Sequence, residues 1–195
     1  MTDQELIDGI RKQDRTAIRH LVSHYQKRVI KTASYFLGNL EDAEDLSQEI
    51  FLEIMNSIGK YRNESAFSTW VYRITVNRAL NKVKKNKREA MVARIGSFFH
   101  TQGQGTAGIS EIPASQRSPL EDEERRRLLY LAIDRLPENQ RVAFVLHKFE
   151  EHSYKEIAAV MTLSLSSVES LIHRAKLNLQ KSLLPHFSEY SKKTI

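Results

Sequence analysis

Between residues 96 and 119 the chain loses every trace of periodic patterning. The stretch GSFFHTQGQGTAGISEIPASQRSP holds four of the seven glycines and two of the four prolines. A structureless segment beyond about 12–15 residues is uncommon inside one compact domain. It reads as a flexible tether joining two separately folding halves, and 195 residues suffice for two small domains.

Both flanks carry the 3.6-residue period of amphipathic helices. Thr2 and Glu5 have the spacing of a capping box that opens a short first helix. From Arg15 to Leu37 apolar residues recur at Ile18, Leu21, Val22, Tyr25, Val29, Ile30, Ala33, Phe36 and Leu37, and Gly38-Asn39 interrupts the run. In the next segment Ala43, Leu46, Ile50, Ile54 and Ile58 share a face, widened by Phe51 and Met55. After the connection GKYRNES a further helix is expected over 66–89, with Phe67, Trp70, Val71, Ile74, Ala79, Leu80 and Val83 inward and Arg73, Asn77, Asn81, Lys84 and Arg88 outward.

Charge separates these helices. Residues 39–59 hold six acids and neither Lys nor Arg, whereas residues 78–94 hold seven bases and one acid. Asp42, Asp45, Glu49 and Glu53 form a stripe in which like charges meet at i,i+4, a mildly destabilising arrangement unless a basic partner covers it. A solvated face is the plain alternative. Aromatics beside Arg, Asn and a Lys run suit a protein that holds single-stranded nucleic acid next to duplex, though Phe67, Trp70 and Tyr72 could simply be core and boundary residues, the more common fate of aromatics.

Beyond the tether, Glu121–Asp134 turns from acidic to apolar, Leu136-Pro137 breaks it, and Pro137 suits the first turn of a following helix. Ser153 with Glu156, and Ser166 with Glu169, have capping-box spacing around a short helix, Tyr154–Met161, and a turn, Thr162–Ser164. A longer helix is expected from near Leu165 to about Leu184, before Pro185. Short capped helix, tight turn and longer helix make a helix-turn-helix pattern, with Ile157, Ala158 and Met161 against Val168, Leu171 and Ile172. The polar side of the second helix would enter a major groove. Ser167, Glu169, Ser170 and His173 are candidates for base edges, and Arg174, Lys176 and Lys181 for phosphates. A helical hairpin that only packs is the alternative.

The expected fold is therefore all-α: two small helical domains joined by a flexible linker, the second containing the helix-turn-helix. The absence of cysteine excludes disulfides, thiolate catalysis and cysteine zinc sites. No cofactor or metal is expected. A polar N-terminus and the lack of any 18-residue apolar run point to a cytoplasmic protein without membrane insertion. The net charge of +6 fits a polyanionic partner.

Taken in order, these parts resemble bacterial RNA polymerase sigma factors of the extracytoplasmic-function group. DAEDLSQEIFLEIM (42–55) is similar to that family's core-polymerase contact, FSTWVYRITVNRALNKVKKNKR (67–88) to its melting and −10 region, and LPENQRVAFVLHKFEEHSYKEIAAVMTLSLSSVESLIHRAKLNL (136–179) to its −35-binding domain. The resemblance implies a non-enzymatic initiation factor with these parts: an N-terminal domain over 1–95, a linker over 96–120, a −35-binding domain over 121–185 and a tail over 186–195. It implies that Asp42, Asp45, Gln48, Glu49 and Glu53 meet the clamp helices of the polymerase's largest subunit. Tyr61, Asn63 and Phe67 would help form the pocket for a flipped −10 base. Arg73, Asn77 and Arg78 would hold the melting junction, and Lys84, Lys85 and Arg88 upstream phosphates. Ser167, Glu169, Ser170, His173, Arg174 and Lys176 would face the −35 element. An anti-sigma factor, often membrane-tethered in this family, is implied as a further partner, with promoter DNA and the nucleoid as the place of action.

The sequence also departs from the family. Many members have Gly-Thr-Val-Lys-Ser-Arg where this chain has Ser166-Ser167-Val168-Glu169-Ser170-Leu171, so two positive charges are missing. Glu169 could accept from a cytosine amino group or serve only as a helix cap. Thr162 stands where the turn often has Gly. The main alternative function is an operator-binding regulator independent of polymerase, which leaves the acidic stripe and the aromatic-basic helix unexplained. A metal nuclease using the carboxylate stripe and a structural adaptor are weaker alternatives.

Overall fold

Side-chain caps open several of the helices. The structure, a computed structural model, describes residues 1–97 and 119–192. The chain divides into two units, Met1–Ser110 and Glu111–Ile195. The predicted linker falls outside the described residues except at its ends, where residues 96–97 and 119–120 are helical.

In the first unit, α1 (Asp3–Arg11) opens on the Thr2–Glu5 capping box, with both reciprocal bonds present. Asp14 caps α2 (Arg15–Leu37) by accepting from the Ala17 amide at 2.9 Å. Gly38 ends α2 in the left-handed conformation, at φ 78°, where glycine carries no Cβ penalty. Asn39 then caps α3 (Leu40–Ser57), accepting from the Asp42 amide at 2.7 Å. A single 3-10 turn, Ile58–Lys60, leads through a loop to the 31-residue α4 (Phe67–Ser97).

Much of the core of this unit falls at positions the periodicity picks out. Leu21, Val29, Ala33, Ala43, Leu46, Ile50, Ile54, Phe67, Val71 and Ala79 are all buried. Leu6, Ile7 and Ile10 close it from α1, and each fully buried Leu or Ile contributes about 1.5–3 kcal/mol. Trp70, Ile74, Leu80 and Val83 are only half-buried, and residues 84–91 are exposed throughout. Residues 84–91 of α4 thus commit no face to the core.

α1 approaches α2 very closely at Gly9, where an added Cβ would collide with the Ala17 Cβ. Gly9→Val is therefore expected to lower the stability of this unit by about 1–3 kcal/mol. Urea unfolding followed by circular dichroism will check it.

The second unit comprises α5 (Pro119–Asp134), α6 (Glu138–Lys148), α7 (Tyr154–Met161) and α8 (Leu165–Lys192). Pro137 stands at the N-cap of α6, one residue before its first turn, and its carbonyl accepts from the Arg141 amide at 2.9 Å. Val142, Val145, Leu146, Ile157, Val160, Val168, Ile172 and Ala175 form the core, with Ile133 from α5. Val160, rather than Ala158 or Met161, is the second fully buried residue of α7. The Arg141 guanidinium is buried and bonds Asp134 at 2.6 Å, so the charge taken out of water keeps a counter-charge.

Two local expectations are corrected. The long helix does not stop before Pro185 but continues to Lys192 with the proline inside it. The amide that proline lacks would have bonded the carbonyl of Lys181, an exposed residue, so water can satisfy that carbonyl. The second capping box is also displaced. Helix α8 starts at Leu165, so Ser164 precedes it and its Oγ accepts from the Ser167 amide at 3.2 Å.

The first of the two expected boxes is complete: Ser153 and Glu156 bond reciprocally. Ser153→Ala is expected to destabilise the second unit by about 1 kcal/mol. The Ser153 hydroxyl, and then its backbone amide, hold the Glu156 carboxyl below its ordinary value of 4.5. A depressed folded value means that this contribution is full above 4.5 and fades as pH falls through the lower folded value. The stability deficit of Glu156→Gln should therefore shrink on acidification through that range, as read by thermal melts at a series of pH values.

Candidate nucleic-acid and partner interfaces

The outer face of α3 is built by exclusion. With Ala43, Leu46, Ile50 and Ile54 committed to the core, Glu41, Asp45, Gln48, Glu49 and Leu52 must stand outside, and all are exposed. Leu52 is 57% exposed in the middle of this acidic surface. Asp45 and Glu49 make no hydrogen bond or ion pair among the described residues. Asp42 differs, because its carboxylate accepts from the Asn39 amide group at 2.6 Å and belongs to the helix's first turn. Glu53 differs too: it is joined to Arg78 of α4. Two residues expected at separate partners, polymerase and DNA, are thus each other's counter-charge here.

A cavity of about 500 Å³ opens beside the loop between the 3-10 turn and α4. Gly59, Lys60, Tyr61, Arg62, Glu64, Ser65, Trp70 and Arg73 line it. The loop is held shut by the Tyr61 hydroxyl, which donates to the Ser65 carbonyl at 2.6 Å. Burial, followed by the nearby Asp3 charge, pushes the Tyr61 phenol up from its ordinary value, so it stays a donor. Asn63 has φ +58°, a left-handed conformation that Asn tolerates better than most residues.

Of the three residues expected at this pocket, only Tyr61 lines it. Asn63 stands on the loop outside the lining, and Phe67 is 1% exposed behind it. The Phe67 ring meets Tyr25, Tyr61 and Trp70 with centroids 5.5–5.8 Å apart. Its place is to back the wall, because a ring enclosed on all sides has no face left for a base. The aromatic that does reach the cavity is half-buried Trp70, 5.3 Å from Tyr61. Apolar spacing alone suggests core for Trp70. The signal that points the other way is its alignment with the charged stripe: Trp70, Arg73, Asn77, Lys84 and Arg88 follow helical spacing along one side of α4. Arg78 lies off this line, toward α3, while Lys85 sits 3.9 Å from Glu89.

In the second unit, Thr162 ends α7 in the left-handed region at φ 57° and ψ 46°, which an L-residue other than Gly or Asn seldom adopts. This sharp reversal aims α8. Because Val168, Ile172, Ala175 and Leu179 face the core, Ser170, His173, Arg174 and Leu177 point away from it, flanked by Glu169 and Lys176. Ser167 is half-buried and tied to Ser164 at 2.7 Å. Glu169 makes no hydrogen bond or ion pair among the described residues. Its capping role is therefore absent, and its acceptor oxygens face outward.

An acid-faced helical unit with an aromatic-lined cavity, followed by a helix-turn-helix, defines a DNA-binding protein with a separate protein-docking surface. Residues 21–89 match the Sigma-70 region 2 family and residues 126–179 the Sigma-70, region 4 family. The RNA polymerase sigma-H factor of Pseudomonas aeruginosa is 32% identical over 96% of both chains. The ECF RNA polymerase sigma-E factor of Escherichia coli K12 is 31% identical over 95% of this chain and 96% of its own. Among solved structures, CnrH in complex with the cytosolic domain of CnrY aligns with a TM-score of 0.65 at 20% identity, over 93% of this chain and 96% of the other. The sigma factor RpoE in complex with the anti-sigma factor NepR from Bartonella quintana aligns at 0.62 and 21%, over 85% and 95%. The chain belongs to the sigma-70 family, in its extracytoplasmic-function group. It is a transcription initiation factor that works with core RNA polymerase and is not itself an enzyme. No helix among the described residues is long and apolar enough to cross a membrane.

Proposed function

We propose that the two units divide promoter recognition between them while α3 holds the polymerase. The outer face of α3, centred on Asp45, Glu49 and Leu52 with Gln48 beside them, docks on the basic clamp helices of the largest subunit. The cavity between loop 59–65 and Trp70 receives one base extruded from the −10 element. Arg73, Asn77, Lys84 and Arg88 run along the same side of α4 and follow the backbone away from that base. In the second unit Ser170, His173 and Arg174 meet the −35 major groove, with Glu169 accepting from an exposed base amino group. Lys176 positions the helix on phosphate.

The observation that carries this reading is the separation of charge on one small unit. An acid-only face stands on α3, and a basic stripe that begins at an aromatic cavity stands on α4. A protein that needed only an operator has no use for the first. One structurally similar sigma factor was solved in complex with an anti-sigma factor, which supports a cognate anti-sigma factor as a third partner here.

Run-off transcription with purified core polymerase on a genomic fragment library tests the assignment. Discrete transcripts whose upstream sequences share two spaced elements are the expected result. Tight, polymerase-independent binding by a dimer would replace the proposal with an operator-binding regulator.

A further inference from the structure

The short helix α1 lies outside the segment that matches the family model, and its outer side bonds the loop that lines the cavity. Leu6, Ile7 and Ile10 anchor it in the core, and Gly9 brings it close against α2. Its exposed ridge is Gln4, Asp8 and Arg11, spaced to share one side of the helix. Asp8 ties the ridge together, accepting from the Gln4 amide group at 2.9 Å and from Arg11 at 3.4 Å. Both ends of the ridge then reach across the sequence. Arg11 Nη2 donates to the Tyr61 carbonyl at 3.0 Å, and the Asn63 side chain donates to Gln4 Oε1 at 3.4 Å.

We propose that the Gln4–Asp8–Arg11 ridge is a positioning strut that sets the geometry of loop 59–65 for capture of the extruded base. The proposal rests on the reading of that loop as the capture site. Three hydrogen bonds fix the loop where it matters: Tyr61 to Ser65 within it, and two to α1. The two on α1 bracket Arg62, which lines the cavity, and they hold Asn63 in its left-handed conformation. A recognition site must be held to within about 0.5 Å to discriminate, and loop sites depend on such support. The ridge residues are exposed or half-exposed, so the fold does not depend on them. Their effect falls on the loop.

The test uses holoenzyme on fork-junction templates carrying each of the four bases at the extruded position. Binding to each gives a discrimination ratio, and 2-aminopurine fluorescence at that position reports extrusion. Arg11→Ala and Gln4→Ala should each reduce discrimination roughly three- to tenfold, the worth of one hydrogen bond. Their double variant should lose more. Core co-purification, duplex recruitment and thermal stability should stay at wild-type values. Arg11→Lys should recover most of the loss, and Lys12→Ala, which removes the neighbouring charge at the helix's C-cap, should cause none. Wild-type discrimination in the double variant overturns the proposal, as does a loss matched by equal falls in duplex recruitment and stability. Trp70→Ala in the same assay separates the two readings. If it abolishes discrimination while the double variant keeps it, only the strut fails. If it too leaves discrimination unchanged, the capture site itself is misassigned.

Discussion

Asp45→Arg is expected to reduce the affinity for core polymerase by about 100-fold or more while leaving the first unit folded. The side chain is exposed, makes no polar contact among the described residues, and lies on the outward face of α3 beside Leu52 and Glu49. Against a basic partner the change removes an attraction and installs a repulsion. Like charges forced together across an interface cost several kcal/mol, and each 1.4 kcal/mol is about tenfold. Stability should move by no more than about 0.5 kcal/mol, because the core lies on the opposite face and surface changes seldom exceed that. Quantitative co-purification with core, alongside a thermal melt, measures both. Unchanged co-purification would remove this face from the polymerase contact. Glu53→Arg is a poorer probe, since Glu53 is joined to Arg78 and its loss also frees a cation on α4.

Much of this was legible in the sequence because periodicity and capping are local. The ranges of α2 and α7 agree with their patterns, and the apolar residues at 43, 46, 50, 54 and 58 are all in the core. What periodicity could not convey was the fate of residues whose partners lie far along the chain. Phe67 and Trp70 are both aromatic, both apolar in spacing and three residues apart, yet one is enclosed and the other reaches the cavity. Tyr61, which arrives from the loop, decides between them. The bonds from Arg11 to residue 61 and from Arg78 to Glu53 span 50 and 25 positions. The displaced cap at α8 has a different origin. Ser164, Ser166 and Ser167 all offer a hydroxyl near the helix start, and Ser166 alone has a Glu three residues on, so the box spacing favours it. The turn geometry set by Thr162 brings Ser164 to the cap first. The end of α8 differs from its pattern because a proline disfavours but does not forbid helix continuation, and the carbonyl it leaves unbonded belongs to exposed Lys181.

Trp70→Ala is expected to weaken formation of the open complex by about 5- to 150-fold, the equivalent of about 1–3 kcal/mol for one stacked base. Closed-duplex recruitment should fall far less, because the duplex contacts proposed above lie on α8 and the basic half of α4. Unstacking a base is opposed by its neighbours in the helix, and an aromatic face offered in the cavity takes the place of those neighbours. Phe67 cannot supply that face from inside the core, and Tyr61 is itself buried, with its hydroxyl committed to Ser65. Trp70 also packs on both rings, so the alanine variant will lose some stability. Trp70→Tyr restores a ring and separates that loss from the stacking effect. Permanganate reactivity of the opened region and filter binding to a non-melting duplex give the two numbers. Salt provides an internal check, since stacking releases no counterions. Trp70→Ala should leave the slope of log affinity against log salt unchanged, whereas neutralising Lys84 or Arg88 should flatten it by about 0.9 for each phosphate that no longer meets a cation. An alanine variant that flattened the slope, or that impaired duplex and open complexes equally, would place Trp70 in the general scaffold and leave the cavity without its reader.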